Sequence, residues 1–364
     1  MEMQYYCQTA IQDILDHMVP IPEDFEVSGQ YLHGLDNQSF IQGFKELRKI
    51  FAGIYKDMQK SPEEYGIICT SLEVNGFGTS NETMKSKRSA EWFMMLFYNL
   101  CMSGEILEEA LEIHPVKYAN NAGRSWVGGN KVKSAVQMIK KLQGFGFFFE
   151  GINGDKLDRK ADKYFLSYPD NPDLIKILKG YILSTYQEKM SYSVELLRLD
   201  YKTLMDPALI PENQEYLDFL TFIDDTDEKI FYEKLHEGLI KNGYIKSREK
   251  VRYFAKAKDK NYTVECRTDK RKLFVGMKLK HMDIYSDFIH SLPIHIKEMF
   301  MRNSCRPECN FQGATPEKCR FRVLWHIDGM EYRKCSFEDV FVPPAYSPDD
   351  TDYYVKLLTL DKQF

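Results

Sequence analysis

The chain has 364 residues, 43% of them hydrophobic, 14% aromatic and 28% charged, with a formal net charge of -5. That length exceeds what one hydrophobic core usually serves, so two or three domains are expected, and the composition excludes a disordered or fibrous chain. The charge is uneven: Asp206 to Glu237 holds ten acidic residues against two lysines, whereas Lys246 to His281 holds thirteen Lys or Arg against four acids. Either the acidic stretch docks on the basic one, or the two surfaces meet different partners.

The start, "MEMQYYCQTAIQDILDHM", lacks the basic residues, apolar run and small-residue cleavage site of a secretory signal, which points to the cytoplasm. Pro20 and Pro22 end the first segment. An amphipathic helix is predicted from Asn37 to Lys60, with Phe40, Phe44, Leu47, Phe51, Ile54 and Met58 at intervals of three and four. "SPEEYG" reads as the start of another helix, capped by Ser61 with Pro62 at its first position. Glu73 to Lys87 reads as a flexible polar connection. The most apolar run, Glu91 to Met102, is shorter than the roughly 18 to 20 residues that span a bilayer, so it predicts a buried helix and no membrane partner.

Two helices are expected at Ala90 to Met102 and Glu105 to His114, then the Gly-rich "NNAGRSWVGGN", then a third helix from Lys131 to Gln143. On the third, Val132, Ala135, Val136, Ile139 and Leu142 form one face, and the lysines fall on the remainder. "FGFFFEGINGDKLDRKADKYFLSYPDNP" follows as an aromatic strand, the turn signal Asn153-Gly154, a charged tip and a strand from Lys163 to Tyr168. Asn171 and Pro172 open a helix carrying Leu174, Ile175, Leu178 and Ile182.

Helices followed by a two-stranded hairpin with a basic tip resemble the winged helix-turn-helix module, here over residues 89–185. The resemblance implies that Lys131 to Gln143 stands in the place of the recognition helix and Asp155 to Lys163 in that of the wing. DNA would then be met by Lys131, Lys133, Lys140, Lys141, Arg159 and Lys160. The tip also carries Asp155, Asp158 and Asp162, so the same module would equally suit protein contacts.

Ser191 to Gly243 is expected to be helical, with elements at Tyr216 to Phe222 and Ile230 to Ile240 around the acidic "DDTDE". Beyond it, "VRYFAKA", "YTVECR" and "KLFVGMKL" read as short strands separated by "KDKN" and "TDKR" turns. A helix from Asp283 to Arg302, a hairpin turning at Asp328-Gly329 and a closing helix from Pro348 to Leu360 complete an α+β domain with an antiparallel sheet. Basic and aromatic residues interleave from Arg252 to Lys280. This suits nucleic acid, a strand with lysines outward, or a concave sheet that cups a small ligand.

Four of the eight cysteines, Cys305, Cys309, Cys319 and Cys335, fall within 31 residues, separated by three, nine and fifteen residues. A hairpin brings its ends together, so these thiolates would fit a closed tetrahedral structural zinc site. Free or redox-active thiols, an iron-sulfur cluster and disulfides stay open. Cys7, Cys69, Cys101 and Cys266 read as small buried apolar residues.

No metalloprotease, nucleophile-elbow or phosphate-loop motif is present, and no catalytic constellation stands out. The expected architecture is a multidomain α+β protein with four parts. These are a helical region (1–88), a winged-helix-like module (89–190), a helical connector (191–243) and an α+β domain with the cysteine cluster (244–364). The expected role is a cytoplasmic regulator that binds DNA and senses a ligand or partner. A thiol enzyme using Cys305 or Cys309 and an interaction scaffold are the alternatives.

Overall fold

The computed structural model describes residues 5–72, 81–123, 134–158, 160–185, 194–211, 213–247, 251–259, 261–302, 322–335 and 340–363. Its two compact units are Met1–Pro211 and Glu212–Phe364. Both combine helices with antiparallel sheet, an α+β class. Among the described residues no helix is long and apolar enough to cross a membrane.

The first unit opens with α1 (Tyr6–Asp16), α2 (Asn37–Lys60), α3 (Asn81–Ser89) and α4 (Trp92–Ser103). Strands β1 (Gly104–Leu107) and β2 (Ala110–Ile113) lead to α5 (Pro115–Gly123) and α6 (Ala135–Leu142). Then come β3 (Phe148–Glu150), the two-residue pair β4 (Ile152–Asn153) and β5 (Lys156–Leu157), β6 (Tyr164–Ser167), α7 (Asp173–Ser184) and α8 (Val194–Arg198). The sheet order is β1-β2-β6-β3, all antiparallel, with Ile113 opposite Tyr164 and Phe148 opposite Ser167.

α2 begins where the sequence predicts. Asp36 accepts the Ser39 N–H at 2.9 Å, satisfying one of the donors a helix start leaves open. Its apolar stripe from Phe40 to Met58 is buried. α7 packs on it so closely that a Cβ on Gly43 would stand 2.2 Å from Ile177 Cδ1. α4 is buried over almost its whole circumference, with the Phe93 and Phe97 ring centroids 5.2 and 5.0 Å from that of Phe51 on α2.

Three expectations fail here, each for a physical reason. Glu105 to His114, rich in helix formers, is the β1–β2 hairpin: Gly104 is extended, Glu108 turns the chain at φ 52°, and β2 gains a second partner in β6. Strand pairing overrides local propensity. "SPEEYG" makes only one 3-10 turn, Pro62–Tyr65, closed by Gly66 at φ 68°. Overlapping the end of the expected connection, Asn81–Ser89 is helical and docks through hydroxyls: Ser86 Oγ donates to Ile68 O at 2.6 Å, and Ser89 Oγ accepts the Ile68 N–H at 3.0 Å. Hydrophobic periodicity carries no trace of such a contact.

The second unit comprises α9 (Gln214–Thr221), α10 (Thr226–Lys241), β7 (Ile245–Lys246), β8 (Arg252–Phe254), β9 (Val264–Asp269) and β10 (Lys272–Met277). It continues with α11 (Ser286–His290), α12 (Ile294–Lys297), the hairpin β11 (Arg322–Ile327) and β12 (Met330–Cys335), and α13 (Thr351–Lys362). β7 to β10 form an antiparallel meander, and β11–β12 a separate ribbon turning at Asp328 and Gly329 with φ 52° and 77°. The helix expected from Asp283 to Arg302 is broken at Pro293, which has an extended ψ of 144° and no N–H to donate.

The acidic stretch does dock on the basic one. Asp224 accepts Arg271 Nε at 2.8 Å, Glu228 accepts the Leu273 N–H at 2.5 Å, and Glu215 lies 3.5 Å from Lys246. Asp225 caps α10 through the Glu228 N–H at 3.0 Å. The same unit holds a partly buried chain: His236 Nδ1 is 2.7 Å from Tyr253 Oη, which is 3.2 Å from Tyr232 Oη. The Tyr216 ring stacks on the imidazole at 4.4 Å. Burial, aided by Lys246, pushes the His236 imidazole down to about 4.

Two expectations follow from these buried groups. Lys179 is 6% exposed; its Nζ donates to Gly104 O at 2.7 Å and also to Cys101 O. Lys179→Met takes this donor from both carbonyls, leaving Cys101 O with the Gly104 N–H, and should cost about 1–3 kcal/mol in urea unfolding. His236 is neutral in the folded protein, whereas the unfolded chain takes up its proton near pH 6.5. Its contribution to stability is therefore complete above about pH 6.5 and is lost as pH falls toward 4. In melting curves over that window, His236→Asn should decline less steeply than the wild type.

Candidate functional site

α6 presents Met138, Ile139 and Leu142 to the core. Its next flank lies against the Pro62–Gly66 turn: Ser134 Oγ donates to Gly66 O at 2.9 Å, Gln137 Nε2 donates to Glu63 O at 2.9 Å, and Lys141 forms an ion pair with Glu64. Gly66 is fixed both by its left-handed φ and by space, since a Cβ there would meet Ser134 Oγ at 2.2 Å. Opposite, Lys140 Nζ lies 2.6 Å from Asp155 at the hairpin tip. The hydrogen bond from Lys140, then its charge, holds the Asp155 carboxyl below the usual carboxylate range.

Between the start of α5, α6 and the β4–β5 tip lies a cleft of about 880 Å³. Val116, Tyr118, Val136, Leu157 and Tyr164 supply its apolar wall, with Lys140 and Asp155 at its edge. Lys156 and Lys160 are exposed on the hairpin, and Lys163 is paired with Glu112 at 2.7 Å.

Of the residues expected to meet DNA, Lys140 and Lys141 share α6, and each is engaged by a carboxylate. Lys160 sits on the hairpin, while Lys131, Lys133 and Arg159 lie outside the described residues. Sequence reading missed the two carboxylate partners and the docking of Gln137, because nothing in the spacing links α6 to residues 63–66.

Of the cysteine cluster, Cys305, Cys309 and Cys319 lie outside the described residues. Cys335, half-buried, ends β12 opposite Arg322. Among the described residues no group of three or more His, Cys, Asp or Glu converges as a metal would require. The scattered cysteines are buried or half-buried as expected. Burial raises the thiol pKa of Cys7 and Cys266 and pushes Cys101 up to about 12. Burial and the neighbouring Cys7 thiol, a hydrogen-bond partner that the spacing did not reveal, push Cys69 up to about 12 as well. Almost none of these four is thiolate at neutral pH, so none is a ready nucleophile.

Set against known proteins, the chain matches no family model, no curated protein and no solved structure.

Proposed function

We propose that the first unit carries a winged-helix module that binds double-stranded DNA, in a regulator whose second unit senses a ligand. The observation that carries this reading is topological. A helix (α4), a strand (β2), two helices (α5, α6) and a strand pair (β3, β6) follow in that order, and β6 lies between β2 and β3 in the sheet. α6 then occupies the recognition position and the β4–β5 tip the wing. The pairs Lys140–Asp155 and Lys141–Glu64 do not argue against it. Exposed ion pairs are worth about 0–1 kcal/mol, so a phosphate can take the place of either carboxylate.

Anisotropy titration of a labelled duplex tests it. Binding should weaken with salt at a slope of about -0.9 per phosphate contacted. Lys160→Gln should weaken binding across sequences and reduce the slope by about 1. Asp155→Asn, which frees Lys140, should tighten binding. No binding at low salt overturns the reading. A protein-contact role is the second reading, favoured by exposed Leu107, Val116 and Phe148 on the same module.

For the second unit we propose that Cys305, Cys309, Cys319 and Cys335 hold a structural zinc. What supports it is chain reach: Cys319 is three residues before Arg322, which pairs with Cys335, a span of roughly 10 Å when extended. Metal analysis should find about one zinc per chain. Thiol counting should find Cys7, Cys69, Cys101 and Cys266 silent in the native protein and the other four reactive only after chelation. Metal-free protein with four fast thiols sinks the proposal and favours the thiol-enzyme reading.

A further inference from the structure

The second unit has a cavity of about 230 Å³ whose wall carries more positive than negative charge. Three segments frame it: the β8–β9 connection with Lys256 and Tyr262, the residues after β10 with Lys278 and Lys280, and the end of α13 with Asp361 and Lys362. The frame is held from within. Asp361, 7% exposed, accepts the N–H groups of Lys280 and His281 at 2.9 and 2.8 Å and the Tyr285 hydroxyl at 2.9 Å. Lys278 N donates to Thr263 O at 2.8 Å, which ties the second segment to the first.

The charges on this wall are not balanced. Asp259 and Asp361 set two negative charges against the four positive ones of Lys256, Lys278, Lys280 and Lys362; Asp361 Oδ1 accepts three neutral donors, and Asp259 accepts the Lys256 N–H at 2.9 Å. Lys362 Nζ is used internally, donating to Asn242 O at 2.8 Å and lying over the Tyr244 ring. Lys256, Lys278 and Lys280 differ: among the described residues no carboxylate lies within ion-pair distance of their amines. Lys278 Nζ rests 4.1 Å from the Tyr262 ring centroid, with the Arg252 guanidinium 4.6 Å from the same ring. Burial pushes the Lys278 amine below the usual lysine range; Glu265 opposes that shift, and Lys280 and Arg252 add to it. Cations gathered in a half-enclosed space repel one another, and an anion placed among them removes that cost.

We propose that this cavity binds the phosphate group of a small phosphorylated ligand, with the amines of Lys256, Lys278 and Lys280 as donors. Its volume lies below the roughly 300–1,000 Å³ of pockets that enclose a drug-sized molecule. It therefore holds a head group and leaves the rest of the ligand outside. Three ammonium point charges suit a tetrahedral dianion, whereas a planar carboxylate is better matched by an arginine fork. A nucleic-acid strand brings the same phosphate chemistry, yet a cavity of about 230 Å³ admits a terminal phosphate more readily than a continuing backbone. This site neither uses nor depends on the DNA-binding reading.

Calorimetric titration of the full chain at low salt, with inorganic phosphate and pyrophosphate as probes, tests the assignment. A single anion should bind per chain, and Lys278→Met and Lys280→Gln should each weaken binding about tenfold, with circular dichroism unchanged. Lys280 is exposed, so its variant keeps the test valid if Lys278→Met fails to fold. Lys160→Gln should leave pyrophosphate binding unchanged, which separates this site from the proposed DNA surface. The proposal is overturned if neither probe binds, if Lys280→Gln binds as the wild type does, or if citrate binds as tightly as pyrophosphate. Displacement of pyrophosphate by an oligonucleotide lacking terminal phosphates overturns it too, by assigning the site to a strand.

Discussion

The first unit depends on covering a helix that is apolar over most of its surface. α4 is apolar over most of its circumference, with Asn99 and Ser103 its buried polar residues, and a helix of that kind is stable in water only when neighbours bury it. The rings of α2 cover one side, and α5, α7, β1 and β2 contact it elsewhere. A buried helix still has to satisfy its last carbonyls. The Gly104 N–H serves Cys101 O and the His114 N–H serves Ser103 O; Lys179 on α7 adds a second donor to Cys101 O, with its ammonium at the negative end of the helix dipole, where a buried cation is best compensated. The same amine binds Gly104 O, so the end of α4, the start of β1 and the middle of α7 are fixed by one group.

What the sequence made legible depended on which force builds each element. Burial with a period builds α2 and α7, and their stripes were readable. Turn chemistry builds the Asp328-Gly329 hairpin, where two positive φ values demand such residues, and this too was readable. The β1–β2 hairpin escaped because its cause is a distant strand, β6, and not its own glutamates and leucines. α3 escaped because serine hydroxyls dock it, and a hydroxyl that pairs with a backbone group looks in sequence like any loop serine. Pro293 marks its own break, but only the structure places helix on both sides of it.

The candidate sites follow the same rule. That Lys140 and Lys141 lie on the outer face of a helix was readable, since alternation with buried Ile139 and Leu142 dictates it. That they already have partners was not, because Asp155 is 15 residues from Lys140 and Glu64 is 77 from Lys141. The acidic and basic halves of the second unit show the opposite case. Their separation in sequence was consistent with pairing or with separate partners, and Asp224, Glu228 and Glu215 realise the pairing on particular residues. A count of charges predicts that opposite runs attract; only folding decides which cations are left over.

That remainder is what distinguishes the two cationic surfaces. On α6 each described lysine has a carboxylate, so an arriving phosphate gains only the difference between two similar exposed interactions. Binding there has to come from many contacts made together, as on a DNA backbone, and it must be sensitive to salt. In the cavity beside β10, among the described residues, no carboxylate lies within ion-pair distance of the amines of Lys256, Lys278 and Lys280, and Lys278 is already partly desolvated. A phosphate entering it removes a repulsion that folding left in place, so a few contacts suffice and screening by salt is weaker. The arrangement of carboxylates, more than the number of lysines, thus suits one surface to a long polyanion and the other to a single small one.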